Sequence, residues 1–138
     1  MAKINPYISF KDNAREAMEF YKSVFGGELI ISTFKEGMGE TGATADNIMH
    51  AMLVIGPEMT LMAADTPEHM EYKPVAGMSI SLSGVSSDEE KLRGYWDKLI
   101  DGGNAFMPLD KAPWGDIFGM LTDKFGIGWM VNIEGKKE

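Results

Sequence analysis

Asn5-Pro-Tyr-Ile-Ser-Phe10 runs into a helical pattern that stops at Gly26-Gly27, and Met78-Ser-Ile-Ser-Leu82 runs into a second that stops at Gly102-Gly103. Three strand-like stretches follow each stop, so the chain states one supersecondary unit twice, and internal repetition is the first thing that decides an architecture. In the first half Ala17, Phe20, Tyr21 and Val24 recur at helical spacing behind Asn13 and Glu16, a capping-box pair. In the second half Leu92, Tyr95, Trp96 and Leu99 follow Ser87 and Glu90 in the same way. The offset between the halves is slightly larger at the Gly pairs than at the first strands, so one end of one helix must differ from its twin.

After the Gly pairs the pattern predicts strands over 28–34, 48–55 and 59–65, then over 104–109, 116–122 and 127–133. Gly56-Pro57-Glu58 and Lys124-Phe125-Gly126 read as the tight reversals between the last two strands of each set. Each half is therefore βαβββ, and the fold class is α+β: a single domain of two modules, about 1–66 and 77–138, joined by a proline-containing linker over about 67–76. The Gly-rich stretch 36–47 reads as the one long loop, a candidate flap over a site. Alternation sets Ile4, Ile8, Phe10, Met78, Ile80 and Leu82 toward the helices. It leaves Asn5, Tyr7, Ser9, Ser79, Ser81 and Ser83 on a polar face, which in a curved sheet would line a concavity.

Composition narrows the function classes. At 138 residues the chain can bury a full core without staples, and it has no cysteine, which removes thiol catalysis and cysteine-ligated metal sites. A formal charge of −8 opposes a phosphate backbone, so nucleic acid is not an expected partner. No apolar run approaches membrane-helix length and no signal-peptide pattern opens the chain, so the expected setting is the cytoplasm, away from membranes. The twelve methionines suit irregular cores or adaptable pockets.

Few residues offer chemistry. Gly37-Met-Gly39-Glu-Thr-Gly42 matches the spacing of a dinucleotide fingerprint, yet a helix would have to begin there to hold a pyrophosphate, and a strand pattern follows instead. His50 falls with Met52 and Val54, opposite Ala51, Leu53 and Ile55, where it could act as a general base near neutral pH or serve only as a strand histidine. His69 lies among glutamates and reads as solvated. Asp65, Asp116 and Asp123 sit at strand ends, where carboxylates commonly satisfy turn amides; Asp65, on the strand next to His50, is the best candidate for a His–carboxylate pair. Phe106, Trp114, Phe118 and Trp129 concentrate aromatics in the second half as core or as ligand walls. No Ser-His-Asp or nucleophile-elbow pattern is present.

Pro6-Tyr-Ile-Ser-Phe10, the stretch from Ala17 to Gly27, Met49-His-Ala-Met-Leu53, Trp114-Gly115 and Asp123-Lys-Phe-Gly-Ile-Gly-Trp-Met-Val-Asn132 together resemble the vicinal-oxygen-chelate superfamily, which includes glyoxalase I, extradiol dioxygenases and bleomycin-resistance proteins. Within it the chain is most similar to the PhnB-like branch. The resemblance implies paired βαβββ modules whose curved sheets form a pocket, usually in a homodimer, with modules sometimes exchanged between chains. Metal-dependent members carry one His or Glu ligand on each of four strands; the matching positions here are Asn5, Met62, Ser79 and Met130. That set is poor for zinc, iron, nickel or manganese, so neither a metal nor another cofactor is expected. The expected function is binding of a small organic molecule, with Asn5, Tyr7, Met62, Ser79, Trp114, Phe118, Trp129 and Met130 lining the pocket and His50 and Asp65 as the candidate catalytic pair. The alternatives are a lyase, isomerase or metal-dependent enzyme of the glyoxalase or dioxygenase type, and a drug-sequestering protein of the bleomycin-binding type. Related sequences carry a ubiquinone-type methyltransferase label, although no doubly wound S-adenosylmethionine site is apparent.

Overall fold

The two glycines of each pair do separate jobs. In the computed structural model, which describes residues 2–135, Gly26 takes a positive φ of 74° as the C-cap of the first helix and Gly102 one of 76° in the turn after the second, which is capped at Ile100, a conformation costly for any residue with a Cβ. Gly27 and Gly103 instead pass so close to the carbonyl oxygens of Val54 and Thr122 that no side chain fits between. The chain leaves each helix and immediately lies against the strand it must pair with, which is why the dipeptide occurs at both places.

The element order is β1 (Tyr7–Phe10), α1 (Ala14–Phe25), β2 (Glu28–Thr33), α2 (Phe34–Met38), β3 (Ile48–Gly56), β4 (Met59–Asp65), β5 (Ser79–Gly84), α3 (Glu89–Leu99), β6 (Asn104–Lys111), β7 (Ile117–Thr122) and β8 (Gly128–Ile133). The strands form two four-stranded sheets, β1-β4-β3-β2 and β5-β8-β7-β6, each with its outer pair parallel and the rest antiparallel. The fold is α+β with a βαβββ order in each unit, interrupted in the first by α2. The boundary between the units falls between Val75 and Ala76, so the segment 67–75 belongs with the first unit. Residue 1 and residues 136–138, the outer ends of the expected modules, lie outside the described residues.

Register shows how alternation becomes a core. On the helix side of the first sheet Ile8, Ala63 and Ala51 fall in one row, and Leu61 pairs with Leu53 in the next. These residues are buried with Ala14, Ala17, Met18, Tyr21, Val24 and Phe25 of α1. In the second unit Ile80, Trp129 and Leu121 form the equivalent row beside α3, whose Leu92, Tyr95, Trp96 and Leu99 are buried.

The helix starts differ from the sequence expectation. Asn13 makes no side-chain cap at α1; the Ala14 N–H donates to Asp65 Oδ1 at 2.9 Å instead. Neither Ser87 nor Glu90 caps α3, because a 3-10 turn over Ser86–Asp88 precedes it, and Asp88 Oδ2 accepts the Val85 N–H at 3.0 Å. The expected long loop begins as α2. A capping box forms there, with Glu36 N–H donating to Thr33 Oγ1 and Thr33 N–H to Glu36 Oε1. Gly37 lies inside this helix and Gly39 ends it, so the glycines follow a helix start rather than open one, and the dinucleotide reading fails.

Asp65 is 2 % exposed, and its second oxygen accepts the Ile48 N–H at 2.8 Å, so one carboxylate ties together the starts of α1 and β3. A hydrogen bond to an ionised group contributes about 1.5–3 kcal/mol, and a buried amide left without its acceptor costs a comparable amount. Asp65→Ala is therefore expected to destabilise the protein by about 2–4 kcal/mol in urea unfolding, with Ala14 and Ile48 amides losing exchange protection first.

Candidate functional site

The face of the first sheet turned away from α1 carries three rows. Tyr7, Met62, Met52 and Ile30 form one, Ser9 with Ala64 a second, and Thr60, Val54 and Glu28 a third. His50 pairs with Ser32 on the same face, and its ring centroid lies 5.8 Å from that of Tyr7. Partial burial raises the Tyr7 phenol above its ordinary value of 10.0, so at neutral pH it remains a hydrogen-bond donor.

A cavity of about 490 Å³ opens at one end of this face. Tyr7, Ser9 and Ala64 come from the sheet, Phe34 and Met49 from α2 and β3, and Pro67, Met70, Glu71 and Lys73 from the segment after β4. That segment reads as a spacer by composition, yet it supplies a wall and both charged groups of the rim. Two hydrogen bonds start it on this course: Thr66 donates its N–H at 2.8 Å and its Oγ1 at 2.9 Å to the Phe10 carbonyl. The volume falls within the roughly 300–1,000 Å³ of small-molecule sites, and the lining pairs an apolar body with a few polar groups.

Asp65 also borders the cavity, but its two oxygens are taken by backbone amides, and alternation puts it on the opposite side of the sheet from His50. The structure therefore corrects the expected His50–Asp65 couple: Asp65 ties backbone, and His50 neighbours Tyr7. Of the other expected wall residues, Tyr7 and Met62 share the open face, with Tyr7 in the cavity lining, while Asn5 precedes β1 and is half-buried.

The second unit sorts its candidates differently. Ser79 and Met130 lie on the face away from α3, and Phe118 shares that face with Asn132. Trp129 does not: it is 2 % exposed on the helix side, and its Nε1–H donates to Asp123 Oδ2 at 2.8 Å. Asp123 also accepts the Phe125 and Ile127 N–H groups and so holds the β7–β8 turn. Trp114 is 62 % exposed in the β6–β7 connection, with its ring edge-on to Phe118 at 5.6 Å. Asp116 accepts the Gly135 N–H at 3.0 Å and the Asn132 amide at 3.2 Å. These bonds, the Gly135 amide foremost, hold its carboxyl below the ordinary 3.8.

Among the described residues no three His, Asp or Glu side chains gather closely enough to hold a metal ion. At the positions that the superfamily resemblance matches to metal ligands, Asn5, Met62, Ser79 and Met130 bring no imidazole or carboxylate, a donor set that does not fit that metal. No helix among the described residues is long and apolar enough to cross a membrane.

Two βαβββ sheets of this kind define the fold of the glyoxalase/bleomycin resistance protein/dioxygenase superfamily. A superfamily member from Sphaerobacter thermophilus DSM 20745 superposes with a TM-score of 0.61 at 18 % identity, covering 97 % of this chain and 98 % of that one, a likeness of fold alone. Within that class the chain belongs to the PhnB-like family whose sequence model is described as 3-demethylubiquinone-9 3-methyltransferase, which matches residues 2–132. It is similar to protein PA1353 from Pseudomonas aeruginosa, with 38 % identity and a TM-score of 0.86 over 99 % of this chain and 100 % of that one. It is also similar to a putative 3-demethylubiquinone-9 3-methyltransferase, PhnB protein, from Bacillus cereus, with 28 % identity and a TM-score of 0.74 over 96 % and 99 % of the two chains.

Two outcomes follow from these contacts. Gly37 of α2 lies directly under the Met49 side chain, and a Cβ there would overlap the Met49 thioether. Gly37→Ala should favour α2 by up to about 1 kcal/mol of helix propensity while displacing Met49 toward the cavity, so a crystal structure of the variant should show a smaller cavity without loss of fold. Asp116, whose folded pKa is lowered, contributes stability that is full above 3.8 and lost as pH falls through its folded value. The difference in urea midpoint between wild type and Asp116→Asn should be constant near neutral pH and shrink below pH 3.8.

Proposed function

We propose that this protein binds a small organic molecule in the cavity of its first unit without the superfamily metal, as a homodimer in the cytoplasm. The observation that carries this reading is the cavity itself: a polar sheet floor of Tyr7 and Ser9, apolar walls of Phe34, Met49 and Met70, and a charged rim of Glu71 and Lys73. Such a lining suits a compact ligand with an apolar body and one polar or anionic end directed at Lys73. The neutral Tyr7 hydroxyl would orient a ligand oxygen.

A second reading is methyl transfer to a quinol, favoured by the match to the methyltransferase family over residues 2–132. Among the described residues no parallel sheet has a Gly-rich turn leading into a helix, so S-adenosylmethionine would have to be held in a manner other than the doubly wound one. A drug-sequestering role finds no separate support in the cavity lining.

Native mass spectrometry of the full chain as purified reports a co-purified molecule and the oligomeric state together. Titration with a short-chain 3-demethylubiquinol analogue, followed by amide NMR, should shift Ser9, Met49, Ala64, Met70 and Lys73, and Ala64→Trp, which fills the floor, should remove both the shifts and any co-purified ligand. Shifts confined to other surfaces, or ligand retained in Ala64→Trp, would overturn the assignment. Transfer of a labelled methyl group from S-adenosylmethionine to that quinol by wild type and not by Ala64→Trp would establish the enzyme reading.

A further inference from the structure

The open face of the second sheet contains a line of thioethers. Met107 pairs with Met120 and Met120 with Met130, so three methionines on three adjacent strands occupy one row, with Ser81 at its end on the fourth. The neighbouring rows hold no further sulfur: Ser79, Gly128, Thr122 and Asn104 on one side, and Ser83, Asn132, Phe118 and Asp110 on the other. Side chains directly opposite across a sheet have Cβ atoms roughly 4.5–5.5 Å apart, so Met120 neighbours both other methionines while Met107 and Met130, two strand steps apart, stand roughly 10 Å from each other. A methionine sulfur moves on flexible torsions, so the two outer side chains can lean toward the central one.

The row does not arise from plain alternation. Ala105 pairs with Leu121 on the helix side, and regular pairing would then put Phe106 opposite Met120. A bulge between Ala105 and Met107 removes Phe106, which is 58 % exposed, from the ladder and brings Met107 into the row instead. Bulges re-aim side chains in this way, and here the result is a third sulfur beside Met120 and Met130.

We propose that Met107, Met120 and Met130 form a site for one soft monovalent cation with the coordination chemistry of Cu(I). Neutral thioethers are soft donors that favour Cu(I) over zinc, magnesium or calcium, and the chain has no cysteine thiolate to compete for it. The formal charge of −8 favours any cation at long range. Thioethers carry no proton at any relevant pH, so binding releases none, unlike binding to cysteine or histidine. The proposal does not rest on the function proposed for the first-unit cavity.

The test is anaerobic titration of the full chain with Cu(I) in competition with bicinchoninate, and with Ag(I) as a redox-inert substitute, while the methyl resonances of the methionines are followed by NMR. One equivalent should bind, shift the Met107, Met120 and Met130 methyl groups together, and show an affinity flat across the neutral range. Met120→Leu and Met130→Leu keep the apolar surface but delete sulfur, and each should weaken binding by at least the roughly 10–100-fold that even outer-shell substitutions cost, whereas Met62→Leu in the first unit should change nothing. Leucine variants that bind as tightly as wild type, methyl shifts at Met52 and Met62 instead, or no binding at micromolar metal would each overturn the proposal. Should a leucine variant fail to fold, the wild-type methyl shifts decide alone.

Discussion

The first unit depends on a single buried carboxylate. Asp65 ends β4, and from there it reaches the first amide of α1 and the first amide of β3 at the same time. Those amides belong to segments far apart in sequence, and the same region is joined a second time where the Asn47 amide donates to Asp12 Oδ1 at 2.8 Å. Asp12 accepts a positive φ of 64° to make that turn, a conformation aspartate tolerates better than most residues. Most of what borders the cavity is located from this junction: β1 and β4 supply the floor, β3 supplies Met49, and the chain leaving Asp65 bends back through Thr66 to Phe10.

The second unit reproduces the frame with a different lock. The residue that closes its last strand is Ile133, buried and apolar, and no carboxylate stands there. Asp123 serves the opposite end, where it closes the β7–β8 turn and accepts the Trp129 indole N–H. That bond explains why Trp129 belongs to the core: its ring fills the helix-side row with Ile80 and Leu121, and burial there requires a partner for its one polar atom. Sequence repetition preserved the glycine pairs and the pairing of Tyr7 with Met62 and of Ser81 with Met130, because backbone approach and strand register admit few substitutes. The anchoring carboxylates were free to differ, since any well-placed acceptor satisfies an amide.

Strand alternation and the glycine pairs made the fold legible, down to His50, Met52 and Val54 sharing one face. Helix starts were not legible in the same way. Asn13 with Glu16 has the composition of a capping box, but the acceptor at α1 comes from Asp65, a residue distant in the chain, and local pattern carries no trace of that. Conversely, the capping box that does form, Thr33 with Glu36, lies in a stretch whose glycines suggest a loop. The cavity was half legible: Tyr7 was named from its face, whereas Met49, Met70, Glu71 and Lys73 were not. Tertiary contact alone puts 67–73 over the sheet, and a proline-rich, aperiodic segment looks the same whether it spans a gap or lines a pocket.

The two open faces show how one frame diverges in chemistry while its cores stay alike. Both sheets bury aliphatic and aromatic rows against a helix, and that requirement leaves little freedom on the inner side. The outer rows carry no such demand, and there the units part: the first combines Tyr7, His50 and Ser9 with a strap bearing Glu71 and Lys73, while the second sets Met107, Met120 and Met130 in one row. The bulge at Phe106 belongs to this divergence, because it changes which side chain faces outward without moving Ala105 from its core partner Leu121. An insertion of one residue on the open side is thus enough to rewrite a surface that the folding core does not constrain.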